Sequence, residues 1–141
     1  MKQESSVTFP RLASLSLALF STLSLAAEPQ WLAEATEKMN WNAASAYCAS
    51  KGARLPTEAE IQKEIKACGG TLTGDYFPDE NEANENYQAC MKSKGWEGDY
   101  WTSSTPAQSQ TCALDIYIKR GNTGCGTKTE SSLKARCTFQ K

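Results

Sequence analysis

The 141-residue sequence contains no histidine, and this absence narrows the chemistry open to the protein. Histidine is the side chain whose ordinary pKa lies closest to neutral pH, so it is the commonest general acid or base in enzymes. It is also a frequent zinc ligand, and the cysteines that would have to replace it never occur as C-x-x-C pairs. The sequence therefore argues against a zinc site and against catalysis of the acid–base or thiol type.

An excess of positive charge is also missing. The chain has 15 basic and 16 acidic residues. The first 27 residues contribute Lys2, Arg11 and Glu4, which leaves 13 basic and 15 acidic residues in the remainder. Proteins that follow a phosphate backbone need clustered lysine and arginine, so we expect no nucleic-acid partner.

A single long apolar run covers residues 12–27, follows Lys2 and Arg11, and ends in Leu25-Ala26-Ala27. Sixteen residues are few for a membrane-spanning helix, whereas this length and these small residues are typical of a secretory signal peptide. We therefore predict a signal peptide over residues 1–27 and a mature chain that begins at Ala27 or Glu28 and is secreted or periplasmic. Residues 28–141 are predicted to form one domain without a transmembrane span.

All six cysteines follow the apolar run, at positions Cys48, Cys68, Cys90, Cys112, Cys125 and Cys137. An even number of cysteines behind a signal peptide indicates three disulfides formed in an oxidising compartment. Six cysteines allow 15 pairings, and the count alone does not choose among them.

Helical signals cluster between residues 40 and 68. Asn40 is a plausible N-cap for a helix over 41–51, which Gly52 would end. Thr57 and Glu60 form a T-x-x-E capping box for a second helix over 58–67, whose buried face would carry Ile61 and Ile65. The first residues after Glu28 form either a short strand at Trp31 and Leu32 or a loose terminus.

An acidic insertion is predicted over residues 71–98. Asp79 would cap a third helix that ends at Gly95 and has Ala83, Tyr87, Cys90 and Met91 on its inner face. Its acids, Asp75, Asp79, Glu80, Glu82 and Glu85, either hold a cation weakly or begin a solvated helix, which is the commoner arrangement. Cys90 would face Cys68 at the end of the second helix and pair with it.

The remaining residues favour strands. Alternation predicts a short strand over 100–104 and another over 112–118, with Leu114, Ile116 and Ile118 on one face and Asp115 and Tyr117 on the other. A turn is predicted over 120–124, a partner strand over 125–129 and a last strand over 133–139. Cys112 and Cys125 flank this hairpin and are predicted to pair across it.

Two motifs carry a resemblance to a known family. The first is W-x-x-A-x-x-Y-C followed by G-x-R-L-P-T-x-x-E, formed by Trp41, Ala44, Tyr47, Cys48, Gly52, Arg54, Leu55, Pro56, Thr57 and Glu60. The second is Tyr100-Trp101-Thr102-Ser103-Ser104 with Cys137 near the end of the chain. Together they resemble the bacterial branch of the C-type lectin-like fold, which includes Lcl-like C-terminal domains and the sulfatase-modifying, formylglycine-generating enzymes.

The resemblance implies an α+β C-type lectin-like domain, with two to three helices packed on a small antiparallel sheet and stapled by three disulfides. It also implies that Cys48 in the first helix joins Cys137 in the final strand. Lectins of this fold bind sugar through calcium held by Glu-Pro-Asn or Gln-Pro-Asp and by Trp-Asn-Asp, none of which occurs here. Trp101-Thr102-Ser103 stands at the last of these positions, so calcium-dependent sugar binding is not expected and no metal or cofactor is assigned.

Activity is not carried over from the sulfatase-modifying enzymes. Their domain is longer, their catalytic cysteine pair lies in a C-terminal region, and Ile61 stands where they tend to have tryptophan. We therefore predict a non-catalytic binding protein, not an enzyme, whose unidentified partner is a protein or glycan at the cell envelope. The candidate ligand-binding residues are Trp96, Tyr100 and Trp101, because aromatic rings stack on sugars and anchor protein partners, and Trp96 is the most plausible surface contact. The alternatives are an enzyme of the sulfatase-modifying type or an inhibitor of a secreted hydrolase.

Overall fold

The computed structural model describes residues 29–73 and 80–139, where the chain forms four helices and five strands. In chain order these are β1 (Gln30–Trp31), α1 (Trp41–Ser50), α2 (Glu58–Ala67), α3 (Glu80–Ala83), α4 (Glu85–Ser93), β2 (Asp99–Trp101), β3 (Cys112–Tyr117), β4 (Asn122–Thr127) and β5 (Thr138–Phe139). Strands β2, β3 and β4 form one antiparallel sheet, and β1 pairs with β5. The predicted signal peptide and the predicted cap Asp79 lie outside the described residues.

The two helices at the start of the domain follow from their caps. The Asn40 side chain accepts a hydrogen bond from the backbone N–H of the third residue that follows it, at 2.9 Å, and Gly52 takes a positive φ of 66° just after α1. Thr57 and Glu60 form the predicted capping box, and α2 has the predicted bounds. The Arg54 guanidinium donates to both carboxylate oxygens of Glu60, at 2.7 and 2.9 Å, which fixes the joint between the helices.

The predicted third helix is divided into α3 and α4. Asn84 interrupts it, because its side chain accepts from the Tyr87 backbone N–H and starts α4 as a new N-cap. Tyr87 and Met91 face the core as predicted, but Ala83 is exposed and the prediction of an inner position for it is wrong. Asn81 is the buried residue of α3, and its carboxamide hydrogen-bonds to backbone groups of two loops.

The sheet differs from its prediction at several ends. Strand β4 begins at Asn122, so the predicted turn over 120–124 is wrong; the reversal lies over 118–121, where Gly121 has a φ of 70°. Strand β2 is shorter than the predicted 100–104 because the Ser103 N–H bonds to the carbonyl of Pro56 and turns the chain toward α2. Of the predicted strand over 133–139, only β5 and isolated bridges at Leu133 and Lys134 remain.

Two apolar clusters lie on either side of the three-stranded sheet. The cluster beside α1 contains Ala35, Ala44, Cys48, Leu55, Trp101, Ala113, Ala135 and Cys137. The cluster beside α2 and α4 contains Ile61, Ile65, Tyr87, Met91, Trp96, Tyr100, Ile116 and Ile118. Strand alternation explains the division, because Tyr100 and Trp101 are consecutive and therefore point to opposite faces.

The six cysteines form the three predicted pairs. Cys48 joins Cys137, Cys68 joins Cys90 and Cys112 joins Cys125, with Cα–Cα distances of 5.4, 5.5 and 5.6 Å. In the hairpin, Cys112 lies opposite Thr127 and Cys125 lies opposite Leu114. The two cysteines are thus two positions out of direct register, which keeps both side chains on one face of the sheet because side chains alternate with a period of two. None of the helices in residues 29–73 and 80–139 has the length and hydropathy of a membrane span.

Candidate functional site

The three aromatic residues proposed from the sequence as ligand contacts lie in the protein interior. Trp96 is 1% exposed, and Tyr100 and Trp101 are fully buried. The Trp96 ring packs edge-on against the rings of Trp31 and Tyr100, with centroids 4.9 Å apart in both pairs. The Arg136 guanidinium lies 4.3 Å from the Trp96 ring centroid. The exposed stacking surface predicted for Trp96 is therefore not formed, since neighbouring rings and a cation occupy its surroundings.

Trp96 instead lines one of two cavities that share Tyr117. The first, here called the α4 cavity, has a volume of about 300 Å³ and lies between α4 and the ends of β2 and β3, where Trp96, Lys92 and Lys119 contribute to its wall. The second, here called the acidic cavity, has a volume of about 380 Å³ and is lined by Asp99, Asp115, Tyr117, Asn122 and Gly124. Both volumes are in the range that holds small ligands.

The acidic cavity is a product of sheet register. Asp99 of β2 pairs with Tyr117 of β3, which pairs with Asn122 of β4, so the three side chains share one face. Asp115 lies two residues before Tyr117 in β3, on the same face of the sheet, and is opposite Gly124. A Cβ atom at Gly124 would lie 2.4 Å from the Asp115 Oδ1 atom, so the missing side chain makes room for the carboxyl group.

The two carboxyl groups of the acidic cavity do not ionise alike. Burial, reinforced by the nearby charge of Asp115, raises the pKa of Asp99 to about 7. Burial also raises the pKa of Asp115, while the backbone N–H groups of Gly126 and Gly124 and a hydrogen bond from Asp99 oppose that rise. Asp99 and Asp115 therefore titrate as a coupled pair, and the pair holds one proton up to about neutral pH. Lys38 is the cation whose charge lowers the pKa of Asp99.

The two cavities differ in whether their charged side chains form salt bridges. At the α4 cavity, Lys92 lies 3.6 Å from Glu97 and Lys119 forms a salt bridge with Glu82, so the positive charges there are compensated. Neither Asp99 nor Asp115 forms a salt bridge within residues 29–73 and 80–139. Within the described residues, no salt bridge neutralises the carboxyl groups of the acidic cavity.

Unpartnered polar atoms mark the same two cavities. In the part of the chain that the structure describes, four buried side-chain polar atoms lack a hydrogen-bond partner: Thr73 Oγ1, Trp96 Nε1, Asp99 Oδ1 and Asn122 Oδ1. Three of the four belong to residues that line a cavity, Trp96 at the α4 cavity and the other two at the acidic cavity. Asn122 is only 4% exposed, so its free oxygen is not satisfied by open solvent.

Sequence reasoning did not identify Asp99, Asp115 or Asn122 as site residues. The sequence predicts only a strand face for Asp115 and a turn for Asn122. The available signal is the pair Asp115 and Tyr117 on one face of a strand, followed by a strand in which Gly124 and Gly126 have no side chain to cover that face. Asp99 gave no such signal, because its place beside Tyr117 depends on the pairing of strands distant in sequence.

The comparison with known proteins establishes the family. The family model for the sulfatase-modifying factor enzyme 1-like domain matches residues 27–129. The chain belongs to this family. The sulfatase-modifying factor-like domain seen here has the predicted C-type lectin-like fold, an α+β arrangement with small antiparallel sheets and three disulfides.

Other comparisons add little to the family assignment. No curated protein matches the chain. Among solved structures, it is similar to TC14, a C-type lectin from the tunicate Polyandrocarpa misakiensis, at 18% identity and a TM-score of 0.44. That likeness covers 80% of this chain and 98% of the lectin.

The cysteines of this sulfatase-modifying factor-like domain are not available as free thiols. All six cysteines are in disulfides, which leaves no thiolate to bind copper or attack a substrate. In the described residues, no group of three or more acidic or cysteine side chains is placed to hold a metal ion.

Proposed function

We propose that this sulfatase-modifying factor-like domain is a non-catalytic binding protein, secreted or periplasmic, that recognises a protein or glycan without calcium. Its binding site consists of the α4 cavity and the acidic cavity, with Tyr117 as their shared wall. The predicted signal peptide and the three disulfides support export to an oxidising compartment.

One observation carries the proposal: three of the four unpartnered buried polar atoms in the described residues line these two cavities. Folded proteins satisfy nearly all of their buried polar groups, because an unsatisfied one costs about 1–3 kcal/mol. Of the four unpartnered atoms in the described residues, three belong to residues that line these cavities. A binding site whose ligand supplies the missing hydrogen bonds would have this arrangement. Trp96 would donate to an acceptor of the ligand, and Asp99 and Asn122 would accept from its donors.

The test compares binding by the wild type and by Tyr117→Ala on a glycan array and in pulldowns from envelope extract. Tyr117→Ala removes the wall common to both cavities and should lose the ligands that the wild type retains. Tyr47→Ala is the matched control, because Tyr47 is a partly exposed tyrosine on α1 that lines neither cavity. Equal binding by all three proteins would contradict a site at Tyr117.

The family match favours one second candidate, an enzyme that oxidises a peptide cysteine. Thiol titration of the native protein distinguishes the two proposals, and no reactive thiol is expected because every cysteine is paired. A cysteine-containing peptide incubated with the protein and copper or calcium should form no aldehyde. One reactive thiol per chain together with aldehyde formation would establish the enzyme instead.

A further inference from the structure

The acidic cavity combines charge, size and unpartnered acceptors in a way that selects one ligand chemistry. It presents two carboxyl groups and a carboxamide oxygen, and none of its lining residues within 29–73 and 80–139 is cationic. Asp115 is 8% exposed and Asn122 is 4% exposed, so both are held in an environment where a hydrogen bond to charge is stronger than in water. A ligand that enters must therefore bring hydrogen-bond donors and positive charge.

A metal ion matches this cavity poorly. Calcium takes six to eight oxygen ligands, whereas the cavity offers two carboxylates, one carboxamide and the Tyr117 phenol. Two backbone N–H groups, those of Gly124 and Gly126, already direct hydrogen bonds at the Asp115 carboxylate. The volume of about 380 Å³ also exceeds the space that a single ion fills.

A primary ammonium group matches it well. An ammonium has three N–H donors and no acceptor, and the cavity has Asp99 Oδ1 and Asn122 Oδ1 unpartnered beside the Asp115 carboxyl group. Tyr117 lines the same cavity, and an aromatic ring adds a cation–π attraction of about 0.5–2 kcal/mol to a neighbouring ammonium. We propose that the acidic cavity binds a primary ammonium group, supplied by a lysine side chain or by an amino sugar. This inference rests on the proposed binding function and names the chemistry of one half of its site.

The groups that face Asp99 determine how binding depends on pH. They are Asp115 and Tyr117 on β3, Asn122 on β4, and Lys38 in the segment before α1. Release of the Asp99 proton adds a second negative charge to the cavity, so affinity for a permanent cation should rise between pH 6 and pH 8. For a group that titrates near neutral pH, the ionised fraction, and hence the affinity, changes about tenfold over this interval.

The experiment measures binding to the full mature protein by NMR titration at pH 7, following the backbone amides of Tyr117 and Asn122. Nα-acetyl-lysine amide and glucosamine are the two ammonium probes, and they distinguish the two sources. Nα,Nε-diacetyl-lysine amide and glucose are their neutral counterparts. We expect at least one ammonium probe to bind ten times or more tightly than its neutral counterpart. The lysine probe, which stays protonated throughout, is used for the pH series.

Two variants sharpen the test. Asp99→Asn removes the second carboxylate with little change in shape and should weaken ammonium binding tenfold or more at pH 8, with the thermal unfolding midpoint checked to show that the protein is folded. Lys38→Ala removes the cation whose charge lowers the pKa of Asp99, so the rise of affinity with pH should move to higher pH. A general loss of structure would weaken binding in both variants.

Several outcomes would overturn the inference. Equal binding of neutral and charged probes would do so, as would saturable binding of calcium that displaces the probes, or Asp99→Asn with unchanged affinity. Failure of both ammonium probes, while Tyr117→Ala still abolishes binding of a ligand found on the glycan array, would reject the ammonium site and leave the proposed binding function intact. If both ammonium probes fail and Tyr117→Ala also leaves binding of the array ligand unchanged, the ammonium site and the proposed binding function are both rejected.

Discussion

Asp99 and Asp115 lie where a sheet normally places apolar or solvated side chains, and residues without side chains make this possible. The Cβ that Gly124 lacks would meet Asp115 Oδ1 at 2.4 Å, and the one that Gly126 lacks would meet the Trp101 ring at 2.6 Å. The backbone N–H groups of the same two glycines direct hydrogen bonds at the Asp115 carboxylate. The Asp115 carboxyl group is thus held by main chain, as expected for one that forms no salt bridge in the part of the chain that the structure describes.

Replacement of Asp99 by asparagine should alter how stability depends on pH. Because the pKa of Asp99 is raised in the folded state, its stabilising contribution is present below its ordinary pKa of 3.8 and is lost as pH rises through about 7. Between pH 4 and pH 8, the wild-type free energy of unfolding should fall by roughly 2 kcal/mol more than that of Asp99→Asn. The shift corresponds to about 4 kcal/mol at 1.36 kcal/mol per pKa unit, and solvent screening of the partly exposed carboxyl reduces it.

Urea denaturation at several pH values checks this difference. Glu37→Gln, which changes an exposed acid, should follow the wild type. If the free energies of unfolding of Asp99→Asn and the wild type change with pH in parallel, folding does not raise the pKa of the Asp99 carboxyl group.

At the scale of elements, the joint between α1 and α2 combines a helix cap with an ion pair. Glu60 accepts from the Thr57 backbone N–H at 2.8 Å and from both terminal nitrogens of Arg54. Its pKa is lowered, mainly by the hydrogen bond from Arg54, and the pKa of Arg54 is raised by the same contact. Because both side chains are partly exposed, solvent screens their charges and the cap supplies much of the stabilisation.

Two substitutions at Glu60 separate these contributions. Glu60→Ala removes the cap and the ion pair and should destabilise the protein by about 1–2 kcal/mol. Glu60→Gln keeps an acceptor for the Thr57 N–H and should cost less than half as much, because glutamine also completes a capping box. Chemical denaturation at pH 7 measures both. Equal losses would assign the whole effect to the charge.

The elements predicted correctly are those whose signals are local. The bounds of α2 follow from Thr57 and Glu60, which are three residues apart, and α1 follows in the same way from Asn40 and Gly52. The hairpin was less predictable because glycine occurs at both 121 and 124, and only packing selects Gly121 for the turn.

The acidic cavity was not predictable, because it depends on contacts between distant parts of the chain. It needs three strands in one register, and nothing near Asp99 in the sequence indicates that Tyr117 and Asn122 will lie beside it. The disulfides, by contrast, were anticipated from helix and hairpin positions together with the family resemblance.

At the scale of the molecule, Cys48–Cys137 connects the beginning and end of the domain. Both cysteines are fully buried in the cluster beside α1, and the bond spans a sequence separation of 89 residues. The pairing of β1 with β5 and the bridge between Met39 and Leu133 bring the same two regions together. A crosslink that closes so long a loop removes much of the conformational freedom of the unfolded chain.

Removal of this bond should have the largest effect among the three disulfides. Cys48→Ala with Cys137→Ala should lower the free energy of unfolding by about 4–5 kcal/mol, against about 3 kcal/mol for Cys112→Ala with Cys125→Ala, whose loop spans 13 residues. Urea denaturation of the paired variants measures both losses, and non-reducing peptide mapping of the wild type verifies the connectivity. A larger loss from the hairpin pair would contradict the order given by loop length.

The same bond determines how the domain would respond to mechanical tension. A pull applied at Gln30 and Phe139 acts first on the two-residue pairing of β1 with β5, whose residue pairs would separate one after the other. The load then passes from Cys48 to Cys137 through covalent sulfur, so extension should stop after roughly 70 Å, the contour length of the roughly 20 residues outside the bond. Everything between the two cysteines, including both cavities, would bear no force. An optical-tweezers trace with a single short step that lengthens only after reduction would display this shielding.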